Sequence, residues 1–460
     1  MSNVMSLCLR LPIFFFLTFS IVAKTQFLEV SDNHKFLQQG DGTPFFYLGD
    51  TAWELFHRLS LEDAEKYLKN RAAKGFTVIQ AVVLAQLGGV TEPNANGDLP
   101  LVNADPTRPV EAYFKHVDDI VETAESLGLT IGMLPTWGHF WSTTHGDQKI
   151  FNTVNAYEFG KFMGERYRDH FIIWILGGDE NVNNDEERKI VEAMARGIQE
   201  GDGQNLMTFH PRGPGRSSDY FHDADWLDFN MYQSSHAGHG HDNGLYAEHD
   251  IKLLPRKPTL DGEPRYELIP VGFYFNGPNK WDLFGDYDTR QAAYWSLLAG
   301  ACGHTYGHNS IWQMYSKSHD PVIGVQVPWF EAIDHPGSFQ MGYLKSLFES
   351  RPFYQLNPAQ SLILGGPDFG GGKIRGAIAE DQSFAIIYSP QGEQFIVDQH
   401  QIKAKKIKAI WFDPRYGLSH PFHTGVTRAI QTYTPPTQGD GQDWILILED
   451  ANKNYPLPGH

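Results

Sequence analysis

"WILGGDEN", residues 174–181, is an apolar run that breaks into two glycines, two acids and an amide. A strand leaving a buried sheet can turn with a single glycine and a single Asp. Two carboxylates at the point of emergence suit a pocket better than a turn, provided other strands of the chain end the same way.

From about residue 44 to residue 311, short apolar runs alternate with amphipathic stretches. The runs are "PFFYLGDTAW" (44–53), "FTVIQAVVL" (76–84), "LTIGMLPTW" (129–137) and "FIIWILGGDEN" (171–181). They continue with "LMTFHP" (206–211), "WLDFNMYQ" (226–233), "KPTLDGEP" (257–264) and "GHTYGHNSIW" (303–312). Helical patterns fall at 60–75, 111–128, 154–169 and 290–301. Ser60 can cap the first, Glu62 and Asp63 suit its positive end, and Gly75 stops it. Eight strand candidates, mostly separated by helices, predict a (β/α)8 barrel. The continuously apolar runs suit a parallel sheet buried on both faces. A doubly wound open sheet competes, but "YLGDTAW" stands where a Gly-rich phosphate fingerprint would follow the first strand.

After "RPFYQLNPAQ" (351–360) the texture changes. "FAIIYSP", "EQFIVD", "KIKAIWFDPRYG" and "DWILILED" read as short strands between Gly, Pro, Asp and Asn. They predict an all-β sandwich over residues 360–460, behind a barrel over 25–355.

The chain has 460 residues, 41% hydrophobic and 20% charged, enough to build large cores. Its net charge of -18 argues against a nucleic-acid partner, which demands clustered Lys and Arg. Aromatic residues make up 13%, and their faces can stack on sugar rings. Arg10 followed by the apolar residues 11–23 predicts a signal peptide over 1–23, hence a periplasmic or secreted protein with no membrane span after its removal. Cys302 is the one cysteine outside that leader, so no intramolecular disulfide is expected.

In parallel barrels the chemistry sits where strands end. Those ends supply Asp50 and Trp53, then Trp137 and His139, then Asp179, Glu180 and Asn181, then His210. Gln233 and His236 follow the sixth run, Asp261 and Glu263 the seventh; Gln80 lies within the second, and His304, Tyr306 and His308 on the eighth. No comparable set of acids, amides and aromatics occurs inside the helices, and the recurrence at strand ends points to a pocket. Glycoside cleavage needs two carboxyls, and acids on the fourth and seventh strands can face each other across a barrel mouth. Asp179 and Glu263 fit; Glu180, adjacent to Asp179, is expected to point elsewhere. A metal-dependent hydrolase is a rival reading, because "SSHAGHGHD" offers His236, His239, His241 and Asp242. The spacing is not that of a rigid motif, so neither metal nor cofactor is expected. A carbohydrate- or matrix-binding barrel without activity is the other alternative. Oligomeric state is open to either reading.

"FFYLGDTAWELFHRLSLEDAEKYLKNRAAKGFTVIQAVVL", "WILGGDEN", "FNMYQSSH", "LDGEPRYE" and "AGACGHTYGHNSIW" together resemble the apiosidase-like glycoside hydrolases, family 140. The segments "WFDPRYGLSHPF" and "PPTQGDGQDWILILED" resemble a C-terminal β-sandwich named in such proteins for collagen binding. The resemblance implies an oligosaccharide or polysaccharide substrate from the plant cell wall. The implied reaction is endo-cleavage of apiose linked to galacturonic acid in rhamnogalacturonan II pectin. It also implies Asp179 as acid/base and Glu263 as nucleophile of a retaining mechanism. Asp50, Trp53, His139, Gln233, His236 and His304 match positions around the family's pocket. The chain departs from the pattern at "QSSHAGHGHD", where the family has QSGH.

Overall fold

The computed structural model describes residues 27–273 and 279–459; the expected leader lies outside them. Eight strands form one parallel set: β1 (Tyr47–Thr51), β2 (Val78–Leu84), β3 (Thr130–Thr136), β4 (Ile172–Gly177), β5 (Met207–His210), β6 (Asn230–Gln233), β7 (Thr259–Glu263) and β8 (Gly303–Tyr306). Each pairs with its sequence neighbour except at the β5–β6 seam, and β8 returns to pair with β1 from Gly303↔Tyr47 to Tyr306↔Asp50. The seam is stitched by Asp228 N–H to Met207 O at 2.9 Å and Thr208 Oγ1 to Phe229 O at 2.7 Å. A two-residue strand, Gly215–Arg216, pairs antiparallel with the end of β6, leaving a nearly closed barrel.

Helices α1 (Leu61–Ala73), α2 (Glu111–Ser126), α3 (Thr153–Tyr167), α4 (Asp185–Gly201), α5 (Gly244–Asp250), α6 (Asp286–Leu298) and α7 (Pro336–Glu349) surround it. Ser60 caps α1 as its sequence predicts, accepting the Asp63 N–H at 3.2 Å. Helices α4, α5 and α7 fall where the sequence reading assigns none, although Asn184 and the acids Asp185, Glu186 and Glu187 make a recognisable start for α4. The last expected strand, 303–312, stops at Tyr306. The His308 ring accepts the Ser310 N–H at 3.0 Å and starts a helical turn at Asn309–Trp312.

Alternation along the strands produces two cores. Val78, Val82, Leu134, Ile173, Ile175, Met231 and Leu260 fill the barrel, while Ile79, Val83, Met133 and Trp174 pack outward on the helices. Gln80 crosslinks the barrel interior, accepting from the Tyr47 hydroxyl at 2.9 Å and donating to Gly262 O at 2.9 Å.

The sandwich contains β9 (Leu356–Pro358), β10 (Ile363–Gly365), β11 (Arg375–Ala379), β12 (Phe384–Ser389), β13 (Phe395–Asp398), β14 (Lys406–Asp413), β15 (Leu418–Val426), β16 (Ile430–Tyr433) and β17 (Trp444–Asp450). Six form a sheet in the order β9-β11-β12-β17-β14-β15, and β10-β13-β16 form a smaller one. Ala385, Ile387 and Trp411 face the space between the sheets. Ile386, Tyr388, Ile410 and Phe412 join the core that includes Tyr294 and Trp295 of α6. Buried ion pairs Arg290–Asp443 (2.8 Å) and Arg351–Glu449 (2.5 Å) cross that junction.

Asp50 points into the helical layer. It accepts from the Tyr67 hydroxyl at 2.6 Å and ion-pairs with Arg71, which also donates to Ile333 O at 2.8 Å. Removing one partner of a buried pair strands the other charge, so Asp50→Ala should cost about 3–5 kcal/mol of stability by urea unfolding. The folded fraction should keep its kcat, because the side chain is remote from the pocket. Normal stability with abolished turnover would place Asp50 in the pocket after all.

Candidate active site

Strand β4 ends at Gly177, and three consecutive residues then adopt positive φ: Gly177 at 96°, Gly178 at 89° and Asp179 at 54°. A Cβ on Gly177 would stand 2.3 Å from the His210 carbonyl oxygen, and one on Gly178 would stand 2.9 Å from Trp137 Cα. Two glycines are therefore required here. Asp is one of the few other residues that tolerates this conformation. The turn aims Asp179 at the pocket and Glu180 at the rim, where Oε2 lies 3.0 Å from His145 Nε2.

Glu263 reaches the same pocket by a different device. Along the β6–β7 pairing, Tyr232 faces Asp261 and Gln233 faces Glu263, so β7 advances two residues while β6 advances one. This bulge re-aims the end of β7. Asp261 turns outward to accept from Ser234 Oγ at 2.7 Å and Asn243 Nδ2 at 2.8 Å, while Glu263 lines the cleft.

Two imidazoles meet Glu263. His236 Nε2 lies 3.2 Å from Oε1 in hydrogen-bond geometry; His210 Nε2 lies 3.1 Å from Oε2, off the ideal line. His210 Nδ1 accepts the backbone N–H of Asp179 at 3.1 Å, which leaves the ring proton on Nε2, toward Glu263. Burial alone would raise the Glu263 pKa, but hydrogen bonding and electrostatic attraction from the His210 and His236 rings outweigh it and lower it to about 2. Asp179 goes the other way. Burial, then the nearby Glu263 charge, raise it well above the ordinary carboxylate range, against opposing effects of Arg212 and Gln233. The surroundings thus push the two carboxyls in opposite directions, Asp179 toward its protonated form and Glu263 toward its anion.

The cleft between them measures about 190 Å³. Of the residues singled out from sequence, Trp53, Trp137, Asp179, Gln233, His236 and Glu263 line it. Trp53 packs 5.5 Å from Trp137 and edge-on to His210, which is buried behind Glu263. Besides His210, five residues expected around the pocket are not in its lining. Asp50 and Gln80 have the structural partners given above. Thr305 points inward, 3.5 Å from Gln80, so its neighbours His304 and Tyr306 point outward; the Tyr306 hydroxyl donates to Glu267 at 2.6 Å. Burial, then Arg265, lower the pKa of His304 to about 3. His139 sits on the rim, its ring 4.3 Å from that of His145, and burial is the first cause lowering its pKa to about 4. Sequence reasoning missed Arg212, Tyr266 and Trp312, which also line the cleft. Tyr266 accepts from Trp53 Nε1 at 3.1 Å and sits beside Glu263, three residues along the quoted "LDGEPRYE".

The histidines of "SSHAGHGHD" separate. His236 goes to Glu263, His239 lies between Asp288 (2.8 Å) and Asp282 (3.0 Å), and His241 meets the Tyr246 hydroxyl at 3.2 Å. Among the described residues, no group of three or more His, Cys, Asp or Glu is arranged to hold a metal ion. The loop ends at Asp242, which accepts from Arg375 Nη2 at 2.7 Å and Lys373 Nζ at 2.7 Å, both from the sandwich. The second domain thus fastens the loop that carries His236.

Residues 31–355 match the family described as "Apiosidase-like, catalytic domain", and residues 357–449 match "Putative collagen-binding domain of a collagenase". A solved structure described as "Glycoside hydrolase" is 34% identical, with 94% of this chain and 98% of that chain covered at a TM-score of 0.86. A glycoside hydrolase family 5 structure from Bacteroides vulgatus ATCC 8482 is 32% identical, with 93% and 94% covered at a TM-score of 0.85. No curated protein matches the chain.

Two outcomes follow from this geometry. Replacing His236 with Ala removes a donor that favours the ionised Glu263, so its pKa rises. The acid limb of the kcat/KM–pH profile should then move upward by about one pH unit; an unmoved limb would detach His236 from Glu263. Arg375→Ala, at a buried pair, should cost about 3 kcal/mol and lower kcat/KM in the protein that remains folded. Unchanged kcat/KM would mean that the clamp does not reach the pocket.

Proposed function

The chain belongs to the apiosidase-like family of glycoside hydrolases, and we propose that its barrel cleaves the bond between apiose and galacturonic acid in rhamnogalacturonan II pectin. The observation that carries the chemistry is the carboxyl pair in one cleft, with His210 and His236 against the Glu263 carboxyl and, among the described residues, no histidine hydrogen-bonded to that of Asp179, which favours Glu263 as the anion and Asp179 as the acid. Such a division of roles is what glycoside cleavage requires. Arg212 supports a uronate-bearing substrate by placing a cation in the cleft, and Trp53, Trp137 and Trp312 offer faces for sugar rings.

In this reading Asp179 donates its proton to the leaving glycosidic oxygen while Glu263 attacks the anomeric carbon. The C–O bond breaks as the glycosyl–Glu263 ester forms. Asp179, now a carboxylate, then takes a proton from water as that water attacks the same carbon and releases Glu263. Two inversions leave the configuration unchanged. The donors around Glu263 make it a good leaving group in the second step.

Arg10 followed by the apolar residues 11–23 supports a leader and export to the periplasm or beyond the cell. Mass spectrometry of the exported protein should show an N-terminus near residue 24; an intact Met1 would oppose this.

The substrate is tested on a panel of pectic oligosaccharides. Apiose-bearing rhamnogalacturonan II side chains should be released with apiose at the new reducing end, its first-formed anomer retained by NMR. Activity on neutral mannan or glucan alone would overturn the assignment. Asp179→Asn and Glu263→Gln should each lower turnover by roughly 10²–10⁴-fold or more with folding intact. Glu180→Gln should do much less. The reverse order would show that the wrong acid of "GGDE" has been chosen.

A further inference from the structure

An opening in the sandwich lies between β16 and the edge strand β15. It is a groove of about 320 Å³. Trp411, Phe422 and Tyr433 form its apolar side; Phe422 stacks on Trp411 with ring centroids 5.7 Å apart and planes 15° from parallel. Phe422 is 48% exposed, so its ring can still receive a planar partner. The other side is polar, with Gln431, His423 and Arg428 among its lining groups. Stacking rings beside amides is the chemistry that holds a pyranose, whose C–H face is apolar and whose rim is hydroxyls.

Charge narrows the class. The whole chain has 55 acids against 37 Lys and Arg, yet residues 399–434 contain six Lys and Arg and one Asp. Among the described residues, no acid lines the groove. The exposed Arg428 guanidinium donates to the neutral amide oxygen of Gln431 at 3.3 Å, which leaves its charge unmatched within the groove. A field that is negative over the molecule but locally positive here selects an anionic ligand at this place. We infer that this groove is an auxiliary binding site for an acidic glycan, in which Phe422 stacks on a sugar ring and Arg428 pairs with a uronate carboxylate. Its chemistry comes from the sandwich alone and does not depend on which bond the barrel cleaves.

The test uses the full-length Glu263→Gln protein, so that the probe is not consumed, in affinity gels containing polygalacturonate. This probe lacks apiose, so an incorrect substrate for the barrel leaves the readout unaffected. The protein should be retarded, less so at high salt. Arg428→Ala and Phe422→Ala, both at exposed positions, should each weaken retention roughly tenfold, the scale of one charge-assisted contact. Neither should change hydrolysis of short oligosaccharides by the wild-type barrel. No retardation, or retardation indifferent to both substitutions, overturns the inference. Equal retention on neutral galactan removes the uronate, and retention on gelatin in place of polygalacturonate makes the groove a protein-binding site.

Discussion

His210 touches both acidic residues of the site through opposite edges of one ring, Asp179 at its backbone and Glu263 at its carboxylate. Nδ1 receives the Asp179 backbone N–H, and Nε2 is thereby committed to carry its proton toward Glu263. Fixing the tautomer fixes the sign of the field at Glu263, which with His236 stays ionised despite burial. An anion held there disfavours a second charge on Asp179, whose own burial acts in the same direction. The asymmetry needed for acid and anion chemistry thus depends on a turn that brings the β4 backbone within 3.1 Å of a β5 side chain. That turn is the one that only two successive glycines allow.

The remaining structure secures this arrangement. The β7 bulge directs Glu263 into the cleft and releases Asp261 to brace the β6 loop through Ser234 and Asn243. At its far end that loop is held by Arg375 and Lys373 of the sandwich. The sandwich packs on α6 through one face of its larger sheet and contributes to the order of the site without entering it.

The barrel was legible because parallel strands buried on both faces leave apolar runs that few other folds require. Asp179 and Glu263 were legible because catalytic groups on such a barrel must lie at strand ends. A strand-end position does not say which face a side chain takes. Asp50, His304 and Tyr306 occupy the right level of the barrel and turn to the helices, and Gln80 turns inward below the cleft. Register decides between these, and one residue of slip or one bulge reverses it. The bulge at β7 has no signature in "LDGEP" beyond the glycine. Arg212 was missed because it follows β5 in an irregular loop whose path depends on pairing Gly215–Arg216 with β6. Helix α4 had its cap and its acids in plain sequence.

The central claim is that the two carboxyls differ in protonation before any substrate arrives. Carbon-13 NMR of the free enzyme, with Asp and Glu carboxyls labelled and assigned through the Asn and Gln variants, observes this directly. Near neutral pH the Asp179 carbon should have the shift of a carboxylic acid. The Glu263 carbon should have that of a carboxylate and titrate only near pH 2. Both carbons titrating together in the ordinary carboxylate range, or Glu263 protonated while Asp179 is ionised, would contradict the account.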